Sequence, residues 1–210
     1  IDKSKASVYK QRILSVNAGA QVKEWDQGIT PGNVDDFLEN IDFLFDAVDV
    51  TQKSGMDMKL LLHKKAQEKK IPCGSALDLG YLQWLRGYNY QNDIDVLDGK
   101  YESVANIENP LKILIEGFIP LEDIPLELLD EIRRLIDNPD EGVCQLGSAC
   151  FLLSAMMGPY FIEFIKKGEL PELIKIDLME YFETESERYN RNIKTKDAII
   201  ELKSFLTKVN

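Results

Sequence analysis

Phe43-Leu44-Phe45-Asp46-Ala47-Val48-Asp49 is an apolar run that ends abruptly in acid and gives way to the polar stretch Thr51-Gln52-Lys53-Ser54-Gly55. A strand apolar on both faces and flanked by helical patterns belongs inside a parallel sheet, covered on both sides. In open α/β sheets ligands bind beyond the carboxyl ends of such strands, which makes Asp49 the first candidate for chemistry. The competing reading leaves Asp46 and Asp49 as the polar start of a solvated loop.

The segments around this run alternate. Ser4 can cap a helix that continues to about Val16 and stops at Asn17-Ala18-Gly19. A short strand is expected over 21–25, a turn over 28–31, and a helix from Asn33 or Asp35 carrying Val34, Phe37 and Leu38. The strand over 41–48 follows. From 54 to 70, Met58, Leu61, Leu62 and Ala66 keep helical spacing, while Lys64, Lys65, Lys69 and Lys70 gather where the helix dipole favours cations and read as a solvated face. The next strand, 71–77, has Pro72 near its start, where a missing donor costs little.

Helix–strand alternation is the signature of a wound parallel sheet. No G-x-G-x-x-G occurs in the sequence, so the sheet is entered one βαβ step late; Ile1, with no Met before it, leads straight into a helix and suggests removed upstream sequence. The expected fold is α/β, a Rossmann-like parallel sheet incomplete at its first βαβ step, with a mostly helical C-terminal half. The expected division is 1–90 for the sheet-bearing part and 91–210 for the helical extension.

The formal charge of −11 argues against a nucleic-acid surface. Three cysteines without a C-x-x-C pair suggest reduced thiols in a cytoplasmic protein, and one histidine makes His-based catalysis or metal binding improbable. The longest apolar stretch, 149–165, is interrupted by Ser154, Gly158, Pro159 and Glu163, and is expected to be a kinked, buried core helix rather than a membrane span. The aromatic-rich stretch 81–90 suits a strand extending the sheet, its rings serving core or dimer-interface packing. Beyond it lie short helical patterns punctuated by Pro110, Pro120, Pro125 and Pro139, then an acidic turn at Glu183, Glu185 and Glu187, and a last amphipathic helix with Ile199, Ile200, Leu202, Phe205 and Leu206.

In order and spacing, Ile1-Asp2-Lys3-Ser4-Lys5-Ala6, Ile13-Leu14-Ser15-Val16-Asn17-Ala18, Gly28-Ile29-Thr30, Leu44-Phe45-Asp46-Ala47-Val48-Asp49 and Ile71-Pro72-Cys73-Gly74-Ser75-Ala76 resemble the ThiF/MoeB/HesA family, adenylyltransferases related to the ubiquitin-activating enzymes. The resemblance runs to about Leu85 and resumes over 149–168. It implies that Lys5 matches the family's lysine on the nucleotide phosphates and Asp49 the aspartate that positions magnesium and the phosphates. Both residue types suit the chemistry, since a cation neutralises phosphate charge and a carboxylate holds a hard divalent ion. Val50 departs from the asparagine common after that aspartate, and the Gly-rich loop and the family's arginine finger have no counterpart here.

The resemblance further implies ATP and Mg as cofactors, a ubiquitin-like or sulfur-carrier protein as partner, and a homodimer. Its ubiquitin-activating branch uses a thioester-forming cysteine; Cys144, just before a predicted helix start near Gly147 or Ser148, is the better placed candidate nucleophile, ahead of Cys150 in the apolar run and Cys73 in a strand. Two functions stand against each other: activation of a C-terminal glycine carboxylate as an acyl-adenylate, with this chain inactive on its own, and a non-catalytic dimerisation or partner-binding scaffold. A dehydrogenase-like dinucleotide domain is a third reading with no nicotinamide-site signature behind it.

Overall fold

The computed structural model describes residues 3–137 and 146–207. Two compact units divide the chain, Ile1–Glu39 and Asn40–Asn210. In the first, helix α1 (Lys5–Val16) starts where expected: Ser4 accepts the Ser7 amide at 3.1 Å, and its hydroxyl donates to Asp26 at 2.5 Å. Asn17 ends it. Asn33 precedes the short helix α2 (Val34–Phe37). The strand expected over 21–25 does not form. Side chains hold that segment instead, with Lys23 over the Trp25 ring at 4.3 Å and Trp25 edge-on to Phe37.

The second unit is built on a four-stranded sheet in the order β1 (Leu44–Asp46), β2 (Cys73–Leu79), β3 (Leu82–Tyr88) and β4 (Leu173–Asp177), with helix α3 (Lys53–Glu68) crossing from β1 to β2. The α/β, Rossmann-like class holds. Parallel pairing joins β1 to β2, whereas β3 runs antiparallel to both β2 and β4. The reason is local: Gly80 and Tyr81 alone connect β2 to β3, and a two-residue connection can only reverse the chain. Gly80 takes a φ of +69°, the left-handed conformation that such a hairpin turn needs at its first central position.

The helical half contributes α4 (Tyr101–Val104), α5 (Pro110–Ile113), α6 (Leu126–Asp137), α7 (Gly147–Lys167) and α8 (Glu185–Leu206). Thr184 and Glu187 form a reciprocal capping box at the start of α8, which turns the acidic stretch into a helix signal. Ile199 and Leu202 are the buried residues of α8. The aromatics of 81–90 go to the core: Trp84, Tyr88 and Tyr90 are all buried.

Strand register sorts the sheet into two faces. Leu44, Asp46, Cys73, Ser75, Leu77, Trp84 and Tyr88 share one, and α3 lies against β1 there. Phe45, Gly74, Ala76, Leu85 and Gly87 share the other, which packs with Tyr160, Leu153, Met157 and Phe164 of α7. Gly74 and Gly87 are direct cross-strand partners, and a Cβ on either would meet the Tyr160 side chain, at 3.0 Å from Gly74 and 2.6 Å from Gly87. Together they make a slot for that ring, whose hydroxyl donates to the Pro171 carbonyl at 3.1 Å.

The expectation of a wholly buried core helix over 149–165 is corrected. Only Ala149 and Tyr160 of α7 are buried, while Phe151 is 80% and Ile165 is 65% exposed. Ile162 is likewise 51% exposed, on the side of the helix away from Tyr160. By length and composition α7 is also apolar enough to cross a membrane, although its inner side is committed to the sheet through Tyr160.

The glycine slot yields a test. Gly87→Ala places a methyl 2.5 Å from the Pro171 carbonyl and 2.6 Å from the Leu170 Cβ, where backbone must yield. It is expected to destabilise the fold by about 1–3 kcal/mol, measured as a lower urea midpoint at unchanged slope.

Candidate functional site

β1 ends in a carboxylate that does not reach water. Asp46 is 1% exposed, so the reading of it as part of a solvated loop is corrected. Its Oδ2 accepts from the Lys59 ammonium, from His63 Nε2 at 2.9 Å and from the Ser75 hydroxyl at 3.2 Å. Lys59 also donates to Ser75 Oγ at 2.9 Å and lies 5.1 Å from the Phe118 ring centroid. Three elements meet here, since Asp46 closes β1, Lys59 and His63 are one turn apart on α3, and Ser75 pairs with Asp46 across the parallel ladder.

The network continues away from the strand end. His63 Nδ1 lies 2.8 Å from the Tyr90 hydroxyl, which also accepts the Leu97 amide at 3.4 Å. Tyr90 therefore donates to Nδ1, and the neutral imidazole keeps its proton on Nε2 for Asp46; the tautomer is assigned from these partners. Tyr88 and Phe118 present edges to the same ring. Leu97 and Asp98 both take left-handed φ values, 52° and 54°, and Arg86 grips Asp98 at 2.6 Å, so the far end of the network holds a turn in a costly conformation.

Charge states follow from burial and partners. Burial alone would raise the Asp46 pKa, but the Lys59 charge and the His63 hydrogen bond overcome it and hold the carboxyl well below the usual range. Burial pushes His63 down from its ordinary 6.5 and prevails over the opposing pull of Asp46, so the ring stays neutral. Desolvation likewise raises Tyr90, which keeps its proton for donation.

Asp49, the leading candidate from the sequence, is exposed on the loop between β1 and α3. Its Oδ1 accepts the Thr51 amide at 2.8 Å and the Thr51 hydroxyl at 2.7 Å, while Oδ2 has no hydrogen-bond partner among the described residues. Lys5 is the first residue of α1, in the other unit, and is also exposed. Cys144 lies outside the described residues. Cys73 is buried with its thiol pushed well up, chiefly by desolvation. Cys150, expected as a buried small hydrophobe, is only partly buried; its thiol donates to Asp78 at 3.0 Å, and that bond raises its pKa. Neither supplies a ready thiolate. Among the described residues, no cluster of three or more His, Cys, Asp or Glu side chains could hold a metal ion by itself.

Compared with known protein families, residues 1–197 match the ThiF family. The chain belongs to the ThiF family. No curated protein matches it. Within this ThiF-family chain the match runs beyond the motifs legible near the N-terminus and through most of the helical half. Sequence reasoning missed Lys59, His63, Ser75 and Tyr90 as a group. The available signal was an i, i+4 pair of polar residues on a helix whose neighbours Leu60, Leu62 and Ala66 are buried, facing a strand that ends in Asp46.

The network fixes a pH dependence. His63 has a folded pKa below its unfolded value, so below about pH 6.5 the unfolded chain takes up a proton that the folded chain refuses, and stability falls. Asp46 acts in the same direction at lower pH: its contribution is full above the ordinary 3.8 and is lost as pH drops toward its folded value. Unfolding free energy is expected to fall through His63 between about pH 7 and about pH 5.5. Denaturant titrations of His63→Gln at the two pH values should lack that step.

Proposed function

We propose that this ThiF-family protein is an ATP- and magnesium-dependent adenylyltransferase. It activates a carboxylate, the C-terminal glycine of a ubiquitin-like or sulfur-carrier protein, as an acyl-adenylate, in the cytoplasm and apart from nucleic acid and membrane. The observation that carries this reading is the exposed Asp49 carboxylate, held by Thr51 through one oxygen and open at the other, just past the carboxyl end of a parallel strand.

The residues present fit magnesium. Mg²⁺ is commonly held by one or two carboxylates plus waters and substrate phosphates, so a single open carboxylate is enough and a cage of protein ligands is not needed. Magnesium, when bound, offsets charge on the phosphates. Asp49 would hold the ion, with Thr51 fixing the carboxylate plane through Oδ1. Lys5 neutralises phosphate oxygens. It is the first residue of α1, at the positive end of the helix dipole, where the Asp26 carboxylate already accepts from the Ser4 cap. Residues 1–210 contain no G-x-G-x-x-G, and in our reading this stretch does not turn over without a Gly-rich phosphate loop supplied to it.

ATP–pyrophosphate exchange by the full polypeptide, with a carrier protein ending in glycine, tests the proposal. Asp49→Ala is expected to lower exchange by roughly 10²-fold or more, with the folded state intact because the side chain is exposed. Full exchange in that variant would remove Asp49 from the site.

The alternative, a non-catalytic scaffold, draws support from α7. Phe151, Ala155, Gly158, Ile162 and Ile165 are all exposed and follow one another at alternating steps of four and three, the seam of a helix that packs along another helix. Small residues at its centre permit close approach. We propose that this seam forms the homodimer interface, which either function could use. Analytical ultracentrifugation is expected to show a dimer that Phe151→Glu together with Ile162→Glu converts to monomer without lowering Tm. A monomeric wild type would rule the interface out.

A further inference from the structure

An exposed loop carboxylate is useful only if it points the same way each time, and the loop over 47–52 has two fixtures that the proposed chemistry does not itself name. The first is Asp46. Its Oδ2 is gripped by Lys59, His63 and Ser75, from α3 and β2, which leaves the carboxylate plane no freedom. Its Oδ1 then accepts the Val48 amide at 3.1 Å and turns the chain immediately after the strand. Asp49 is the next residue.

The second fixture is Gly55, in the first turn of α3. A Cβ at Gly55 would lie 2.1 Å from the Asp49 carbonyl oxygen and 3.2 Å from its carbonyl carbon. The Asp49 backbone is seated where any other residue would carry its side chain. Glycine here is otherwise a poor choice, since alanine normally strengthens a helix. Close approach of the loop explains it.

We infer that Asp46 and Gly55 are positioning residues that aim the Asp49 carboxylate, Asp46 through the Val48 turn and Gly55 by admitting the Asp49 backbone. The inference rests on Asp49 being the magnesium- and phosphate-facing group. The buried Lys59 and Ser75 act behind Asp46 as the clamp, with His63 and Tyr90 as its backing.

Amide hydrogen exchange on the full chain, together with binding of Mg–ATP, separates this role from simple stabilisation. In Gly55→Ala, exchange of the Val48 and Thr51 amides is expected to rise at least about tenfold, while Leu77 and Leu85 in β2 and β3 keep wild-type protection. Mg–ATP affinity should fall by about 10–100-fold, as with loss of other groups that orient a metal ligand. Asp46→Asn should show the same loop signature; if it fails to fold, Gly55→Ala decides alone. Unchanged Val48 and Thr51 exchange in Gly55→Ala, or a uniform rise that includes Leu77 and Leu85, overturns the positioning role. If instead Asp49→Ala binds Mg–ATP as tightly as wild type, the functional reading of Asp49 fails, whereas the exchange data still judge whether Asp46 and Gly55 set the loop.

Discussion

A lysine ammonium and an aspartate carboxylate share the interior of the second unit, both fully shielded from water. Removing two such charges from solvent costs several kcal/mol per ion, and their attraction compensates only when the remaining donors and acceptors are matched. Here they are matched: Ser75 accepts from the lysine and donates to the aspartate, and His63 supplies a further donor that is itself backed by Tyr90. Because the group spans β1, α3, β2 and the segment after β3, the crossover helix can dock on the sheet in one register alone. A shift of one residue along α3 would strand Lys59 without its counter-ion.

Local patterns made some of this legible. The apolar run from Phe43 to Asp49 marked β1, which is shorter than the strand expected over 41–48, Pro72 marked the entry to β2, and Ser4 with Asn17 bracketed α1. The existence of α3 was equally plain, but its inward face was not. Met58 and Leu61, two of the residues whose spacing marked the helix, are only partly buried, while Lys59 and His63 are fully buried. Polar side chains occupy core positions of that face, so the periodicity of apolar residues drifts away from the true contact line. Only a partner distant in sequence, Asp46, makes the true face affordable, and no window along α3 contains it.

β4 was obscured for a related reason. Leu173, Ile174 and Ile176 are apolar, yet their ladder partners lie in β3, far back in the chain. Asp49 is the opposite case. Its loop is short, its turn with Thr51 is local, and its position follows from the strand before it, so a sequence reading could place it without long-range knowledge.

The slot between Gly74 and Gly87 bears on how this unit meets other molecules. One tyrosine ring, seated where two side chains are missing, fixes the rotation of a 21-residue helix about its own axis. The exposed side of α7 is thus aimed from behind, by atoms on its buried side. Two absent methyl groups on one side of the helix act as a compass for everything that approaches from the other.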